Sequence, residues 1–343
     1  MDLQKLIRDN IKSLKPYSTA RDEFVGKAQV YLDANENPYN EPYNRYPDPY
    51  QKELKEKTAA LKQVSVKYLF LGNGSDEPID LLIRAFCEPA RDNLVIFDPT
   101  YGMYEVAANI NNVEVRKISL DQNFQVDPDM LLNAVDGNTK LIFLCSPNNP
   151  TGNCIRKDSV IKIIGNFDGL VVLDEAYIDF APEKSFLPDL KNYQNLVILQ
   201  TFSKAWGLAG ARLGMAFAVP EIIQVLNKIK YPYNINILTQ QKVLEAIENT
   251  TRKNEWVSKI LESKKHLAAE MARFPFTIKV FPSDANFILV KMDDAKGIYD
   301  YLIEKEVVVR NRSDVHLCEN CLRITAGNEK DNEILINTLK ELL

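Results

Sequence analysis

Four short apolar runs mark the first two thirds of the chain: LVIF (94–97), LIFLC (141–145), LVVL (170–173) and NLVILQ (195–200). Each stops abruptly at polar, Gly- or Pro-bearing sequence. Continuous apolar character, rather than alternation, is what a strand covered on both faces needs, so the runs predict buried parallel strands that empty into loops. Around them lie stretches with helical spacing, EPIDLLIRAFC (77–87) and KDSVIKIIGNF (157–167). Together they read as repeated strand–helix–strand units and a doubly wound α/β sheet. Ligands of such sheets bind beyond the carboxyl ends of the strands, where the tails DPTYG, SPNNPTG, DEAY and TFSK would gather.

From about residue 246 the texture changes. A long charged helix (roughly 252–273) precedes strands TIKVF and ANFILVK, a helix GIYDYLIEKE, and strands VVVR and CLRIT. This predicts a smaller α+β domain, and 343 residues exceed what one hydrophobic core usually serves. The expected division is a helix and arm over 1–40, a large ligand-binding domain over 41–245 and a small domain over 246–343.

The net charge of -5 comes without a long basic run, which removes the electrostatic footprint for nucleic acid or an anionic membrane. No apolar run approaches the ~18 residues of a membrane span, and MDLQKLIRDN has no apolar signal core. Small-molecule partners and the cytoplasm are therefore expected. Five cysteines, an odd number, point to reduced thiols. His316, Cys318 and Cys321 lie close in sequence, but no second Cys/His pair completes a tetrahedral site, so no metal is expected there.

Within the tails, TFSKAWGLAGARLG sets Lys204 and Arg212 among Gly207, Gly210 and Gly214 directly after a buried strand. A desolvated lysine amine is the type of group that forms imines, whereas a surface lysine is only a solvated charge. Thr201, Ser203 and Arg212 offer hydroxyls and a fork of donors suited to a phosphate. GNGSDEPIDLL reads as a loop opening a helix, with Ser75 or Asp76 at the cap, and its free N–H groups form an anion site. Asp174 directly follows LVVL, at the binding edge; taken alone, an acid there is as readily a helix cap. Asn149 and Tyr101 lie in turns, where Asn is a usual turn former and Tyr usually a packing residue.

The ordered set GNGSDE, DPTYG, SPNNPTG, LDEAY, TFSKAWGLAGARLG and CLRITAG resembles the fold-type I aminotransferases that use pyridoxal 5'-phosphate (PLP). KPYSTAR, LDANENPYN, NRYPD and VVVRNRS are further similar to the histidine-biosynthetic branch. The resemblance implies histidinol phosphate with 2-oxoglutarate as substrates; alternatives are aromatic amino acids, or a decarboxylase similar to threonine-phosphate decarboxylase. It makes Lys204 the Schiff-base lysine, Asp174 the partner of the pyridine nitrogen, Asn149 and Tyr177 the contacts of the phenolic oxygen, and Tyr101 the stacking ring. Gly74, Ser75, Asp76, Thr201, Ser203 and Arg212 would surround the cofactor phosphate, with Tyr46 reaching it from the second subunit of a homodimer. Tyr17, Asn35, Arg310 and Arg323 would bind substrate. Trp206 departs from the usual Phe and is expected to reshape the wall beside Lys204.

Overall fold

The computed structural model describes residues 2–19, 26 and 28–343; Ala20 and Arg21, the end of KPYSTAR, lie outside the described residues. Seven strands form the large sheet: β1 Leu69–Asn73, β2 Asn93–Asp98, β3 Glu114–Ser119, β4 Thr139–Cys145, β5 Leu170–Asp174, β6 Leu196–Thr201 and β7 Leu213–Phe217. Their order is β1-β7-β6-β5-β4-β2-β3. The four apolar runs are β2, β4, β5 and β6, which lie side by side and parallel, so their tails do reach one edge. Only β7 runs antiparallel to its neighbours, β1 and β6.

Three strands escaped the apolar-run criterion for physical reasons. β3, EVRKIS, is an edge strand whose exposed charges hide its pairing with β2. β1 and β7 are interrupted by Gly72 and Gly214, which face each other in register. A Cβ on Gly214 would stand 2.3 Å from the backbone of Gly74 and Ser75. Only a glycine lets this strand touch the loop that opens the helix Asp76–Phe86. That helix buries Ile79, Leu82, Ile83 and Phe86, a spacing of three and four that fixes its inner face. The helix Lys157–Gly165 buries Val160, Ile163 and Ile164 in the same way.

A second, antiparallel sheet has the order β10-β11-β9-β8, from β8 Thr277–Val280, β9 Phe287–Met292, β10 Arg310–Asn311 and β11 Cys321–Thr325. The helices Thr250–Met271, Ala295–Glu304 and Glu329–Lys340 accompany it. VVVR contributes only its last residue to a strand: Val307 and Val309 pack inward and Val308 is exposed, so strand-like alternation exists without a ladder. β9 serves two cores by its period of two. Phe287 and Leu289 join the core of the large sheet, whereas Ile288, Val290 and Met292 join a second core with Leu267, Leu302 and Leu335. On β11, Cys321 faces the first core and Leu322 and Ile324 the second, which turns Arg323 toward the large sheet.

The N-terminal helices Leu3–Leu6 and Asp9–Ser13 dock on the large sheet's outer helices. Ile7 is buried there, Arg8 N donates to Ala85 O at 3.0 Å, and Lys228 Nζ donates to Ile11 O at 2.7 Å.

Gly214→Ala should lower stability by about 2 kcal/mol or more, since a backbone, not a side chain, would have to move. Denaturant unfolding checks this; a loss under 0.5 kcal/mol, the ordinary scatter of surface substitutions, would show that the loop yields freely.

Candidate active site

A cavity of about 660 Å³ opens at the carboxyl ends of the strands, with the second sheet closing one side. The buried carboxylate of Asp174, the last residue of β5, lies at its floor. Tyr104 OH donates to Asp174 Oδ2 at 2.7 Å and Ala176 N donates to Oδ1 at 3.0 Å. Desolvation outweighs both bonds and raises the carboxyl pKa from 3.8 to about 6. Tyr104 is itself fully buried, stacked on Phe143 at 4.8 Å. Sequence reading missed this tyrosine; its signal was a place on the buried face of the helix Met103–Ile110, with Ala107 and Ala108.

Lys204, three residues beyond β6, projects into the cavity with its Nζ 5.3 Å from the centre of the Tyr177 ring. Although the residue is open to the cavity, the surrounding protein, then the charge of Arg323, lowers its pKa. Among the described residues its amine makes no hydrogen bond or ion pair, so the nitrogen is available as nucleophile or base. Tyr177 is buried, edge-on to Phe287 at 5.2 Å, and burial pushes its hydroxyl well above the ordinary value.

At the β1 end an anion pocket takes shape. Ser75 stands at the N-terminus of the helix Asp76–Phe86 without capping it through its side chain, which leaves its hydroxyl available. Thr201 Oγ1 and Ser203 Oγ lie 3.0 Å apart, and Ser203 N donates to Thr201 Oγ1 at 3.0 Å. Arg212 holds a left-handed backbone (φ 54), a strained geometry for a side chain of this size. Its guanidinium rests on Gly74, where a Cβ would lie 2.5 Å from Nη2, so glycine makes the cradle. The Asp76 carboxylate holds this guanidinium in place: it accepts from Arg212 Nη2 at 3.3 Å and from Tyr101 OH at 3.2 Å.

The turn SPNNPTG is anchored by Asn148, also unforeseen, which donates to Pro99 O at 2.9 Å and to Thr151 Oγ1 at 2.8 Å. The neighbouring Asn149 accepts from Arg323 Nη1 through Oδ1, leaving its amide nitrogen as the free donor. Arg323 also lies 5.3 Å over the Phe287 ring. Arg310 lines the same wall, joined by Arg312 just past β10, which sequence reading passed over although the R-x-R spacing puts both on one side of an extended chain.

Not every expected residue comes to the cavity. Tyr17 is 75% exposed, Asn35 is exposed with φ 54, and Tyr46 is 53% exposed and stacked on Tyr233 at 4.5 Å; none lines it. Trp206 is no wall residue: it is buried against Phe202 at 5.2 Å, with Lys253 Nζ 5.4 Å from its ring, because an indole this large finds room in the core. Cys318 and Cys321 are buried free thiols, and His316 Nε2 lies 2.8 Å from Ser119 Oγ. The cavity therefore suits a ligand with a phosphate at one end, a carbonyl within reach of Lys204, and a cationic ring atom to meet Asp174.

The sign of the Asp174 effect is testable. Its folded pKa, about 6, lies above the ordinary 3.8, so its contribution to stability is full below about 3.8 and lost as pH rises through about 6. Ligand-free Asp174→Asn should thus be more stable than the wild type at pH 8, on the order of 2 kcal/mol, with the gain vanishing near pH 4. Thermal unfolding at both pH values checks it; a less stable variant at pH 8 would refute the buried-charge account.

Residues 25–339 match the family model described as aminotransferase class I and II. The histidinol-phosphate aminotransferase of Parabacteroides distasonis is 57% identical over 341 residues, covering 99% of each chain. That of Cytophaga hutchinsonii is 54% identical over 342 residues, covering 98% of each. Among solved structures, the histidinol-phosphate aminotransferase of Clostridium acetobutylicum superimposes with a TM-score of 0.81 at 26% identity, covering 88% of this chain and 91% of that one. The fold, the converging strand-end residues and these relatives agree: the chain belongs to the class I and II aminotransferases.

Proposed function

We propose that this enzyme is a PLP-dependent aminotransferase of histidine biosynthesis, interconverting histidinol phosphate and 2-oxoglutarate with imidazole acetol phosphate and glutamate. One observation carries the reading: a single cavity joins the unpaired amine of Lys204, the buried carboxylate of Asp174 and the Gly74–Arg212 anion cradle. Histidinol phosphate is the compound in the name of relatives that match it almost end to end.

When bound, the cofactor supplies an electron sink for the bonds at the substrate's α-carbon. The chain's own residues do the rest. Arg212, Thr201, Ser203 and Ser75 hold the phosphate, and the close packing at Gly74 keeps the guanidinium in place. Asp174, ionised at neutral pH, holds a proton on the ring nitrogen, while Tyr104 and the Ala176 N–H keep the carboxylate aimed. Asn149, oriented by Arg323, would offer its amide nitrogen, and Tyr177 its hydroxyl, to the phenolic oxygen, and Tyr101 would cover the ring. Lys204 Nζ would tether the cofactor, and its lowered pKa favours the neutral amine that would serve as base for the substrate's α-proton. Arg323 and Arg310 bind the substrate's anionic group, a carboxylate in one half-reaction and a phosphate in the other.

Tyr46, exposed and outside its own chain's cavity, belongs to the site of a second subunit, so the enzyme works as a homodimer. Tyr17 and Asn35, each exposed, join the site with the substrate. Five free thiols fit a reducing, cytoplasmic setting.

The visible absorption band of the lysine-bound cofactor should fade with glutamate and, separately, with histidinol phosphate, and return with 2-oxoglutarate. Lys204→Ala should cut turnover by about 10³-fold or more, within the range for a catalytic base. If glutamate alone bleaches the band, the aminotransferase stands and the phosphate substrate falls. Arg323→Ala should raise KM for both donors by about 10- to 100-fold, the scale of a charge-assisted hydrogen bond; unchanged values would remove its substrate role. Light scattering should give twice 39.1 kDa, with Tyr46→Phe weakening cofactor retention at unaltered mass; a monomer would end the shared-site reading.

A further inference from the structure

Arg310 and Arg323 are direct cross-strand partners, and Arg312 N donates to Cys321 O at 2.9 Å just beyond them. Arg310 and Arg312, two residues apart, leave the chain on the same side, and all three guanidiniums line the active-site cavity. Like charges directly opposite one another destabilise a strand pair, and a third stands beside this one. Among the described residues no carboxylate pairs with any of them; Arg323 gives one N–H to Asn149 and lies over Phe287. Among the described residues, Arg312 Nε is buried without a hydrogen-bond partner, a costly state for a charged donor. Burial, followed by the charges of Arg323 and Arg310, lowers the Arg312 pKa to about 10. The cluster therefore carries more positive charge than one carboxylate can balance, whereas a phosphate monoester above pH ~6 brings nearly two negative charges and three acceptor oxygens.

We propose that Arg312 is a specificity-determining residue that, beside Arg310 and Arg323, matches the second negative charge of a phosphate-monoester substrate and so favours it over the carboxylate donor. This deepens the functional reading above and rests on it for the identity of the two donors. The residue has a rival use, since its charge also reaches Tyr177. An action through Tyr177 would alter both half-reactions alike, because both use the same cofactor.

The experiment compares wild-type, Arg312→Gln and Arg312→Lys holoenzymes, each checked for the visible band of the lysine-bound cofactor. Single-turnover kcat/KM is measured with histidinol phosphate and with glutamate. Calorimetry at pH 8 compares methyl phosphate, a dianion, with dimethyl phosphate, the monoanion that differs from it by one methyl group. In Arg312→Gln the kcat/KM ratio should shift about tenfold toward glutamate, and the dianion preference should shrink by a similar factor, as for one lost charge-assisted bond. Arg312→Lys should recover part of both, because the charge is kept and the fork is lost. Equal losses for the two donors with the dianion preference intact would overturn the proposal. If the wild type ignored histidinol phosphate but its dianion preference still depended on Arg312, the substrate assignment would fall and this inference would stand.

Discussion

The structure turns on a negative charge placed where a negative charge is expensive. Asp174 ends β5, a strand buried on both faces between β4 and β6, and its carboxylate is almost wholly buried at the cavity floor. Everything around it limits that cost. Tyr104 reaches it from a neighbouring helix, Phe143 on β4 holds the tyrosine ring flat, and the Ala176 amide takes the second oxygen. The residual penalty becomes useful when a cation meets the carboxylate, since the ligand's charge then returns what folding gave up. Cofactor binding and fold stability are thus coupled through one group.

Positive charge is distributed in the opposite sense. Arg212 at one end of the cavity and Arg310, Arg312 and Arg323 at the other bracket a lysine whose own charge Arg323 and Arg212 help to suppress. The same guanidinium that orients Asn149 also disfavours protonation of Lys204, so anion binding and base strength are not independent. An anion arriving at Arg323 reduces its effect on the amine, which favours protonation of Lys204 once a proton is there to take.

Much of this was legible in the sequence, and the gaps have specific causes. Continuous apolar runs found β2, β4, β5 and β6 because a doubly covered strand leaves no polar alternation. The same criterion missed β1 and β7, whose glycines exist for a backbone contact invisible along the chain. Lys204, Asp174, Asn149 and Arg212 were found through strand ends and ordered motifs, which are local properties. Tyr104, Asn148 and Arg312 were missed because their importance lies in what they touch across 70, 49 and about ten residues of chain respectively, a distance only folding closes. Trp206 was misjudged for the reverse reason: next to Lys204 but one, it points into the core instead.

β9 belongs to two cores at once, odd residues to one and even residues to the other, and β11 repeats the arrangement. This division separates what the enzyme does from what it does it to. Lys204, Asp174 and the Gly74–Arg212 cradle hang on the large sheet, whereas Arg310 and Arg323, proposed above to meet the substrate, stand on β10 and β11 beside a core of their own. A lineage could therefore trade one substrate charge for another by rewriting alternate positions of two short strands, leaving the reaction chemistry and its supporting core untouched.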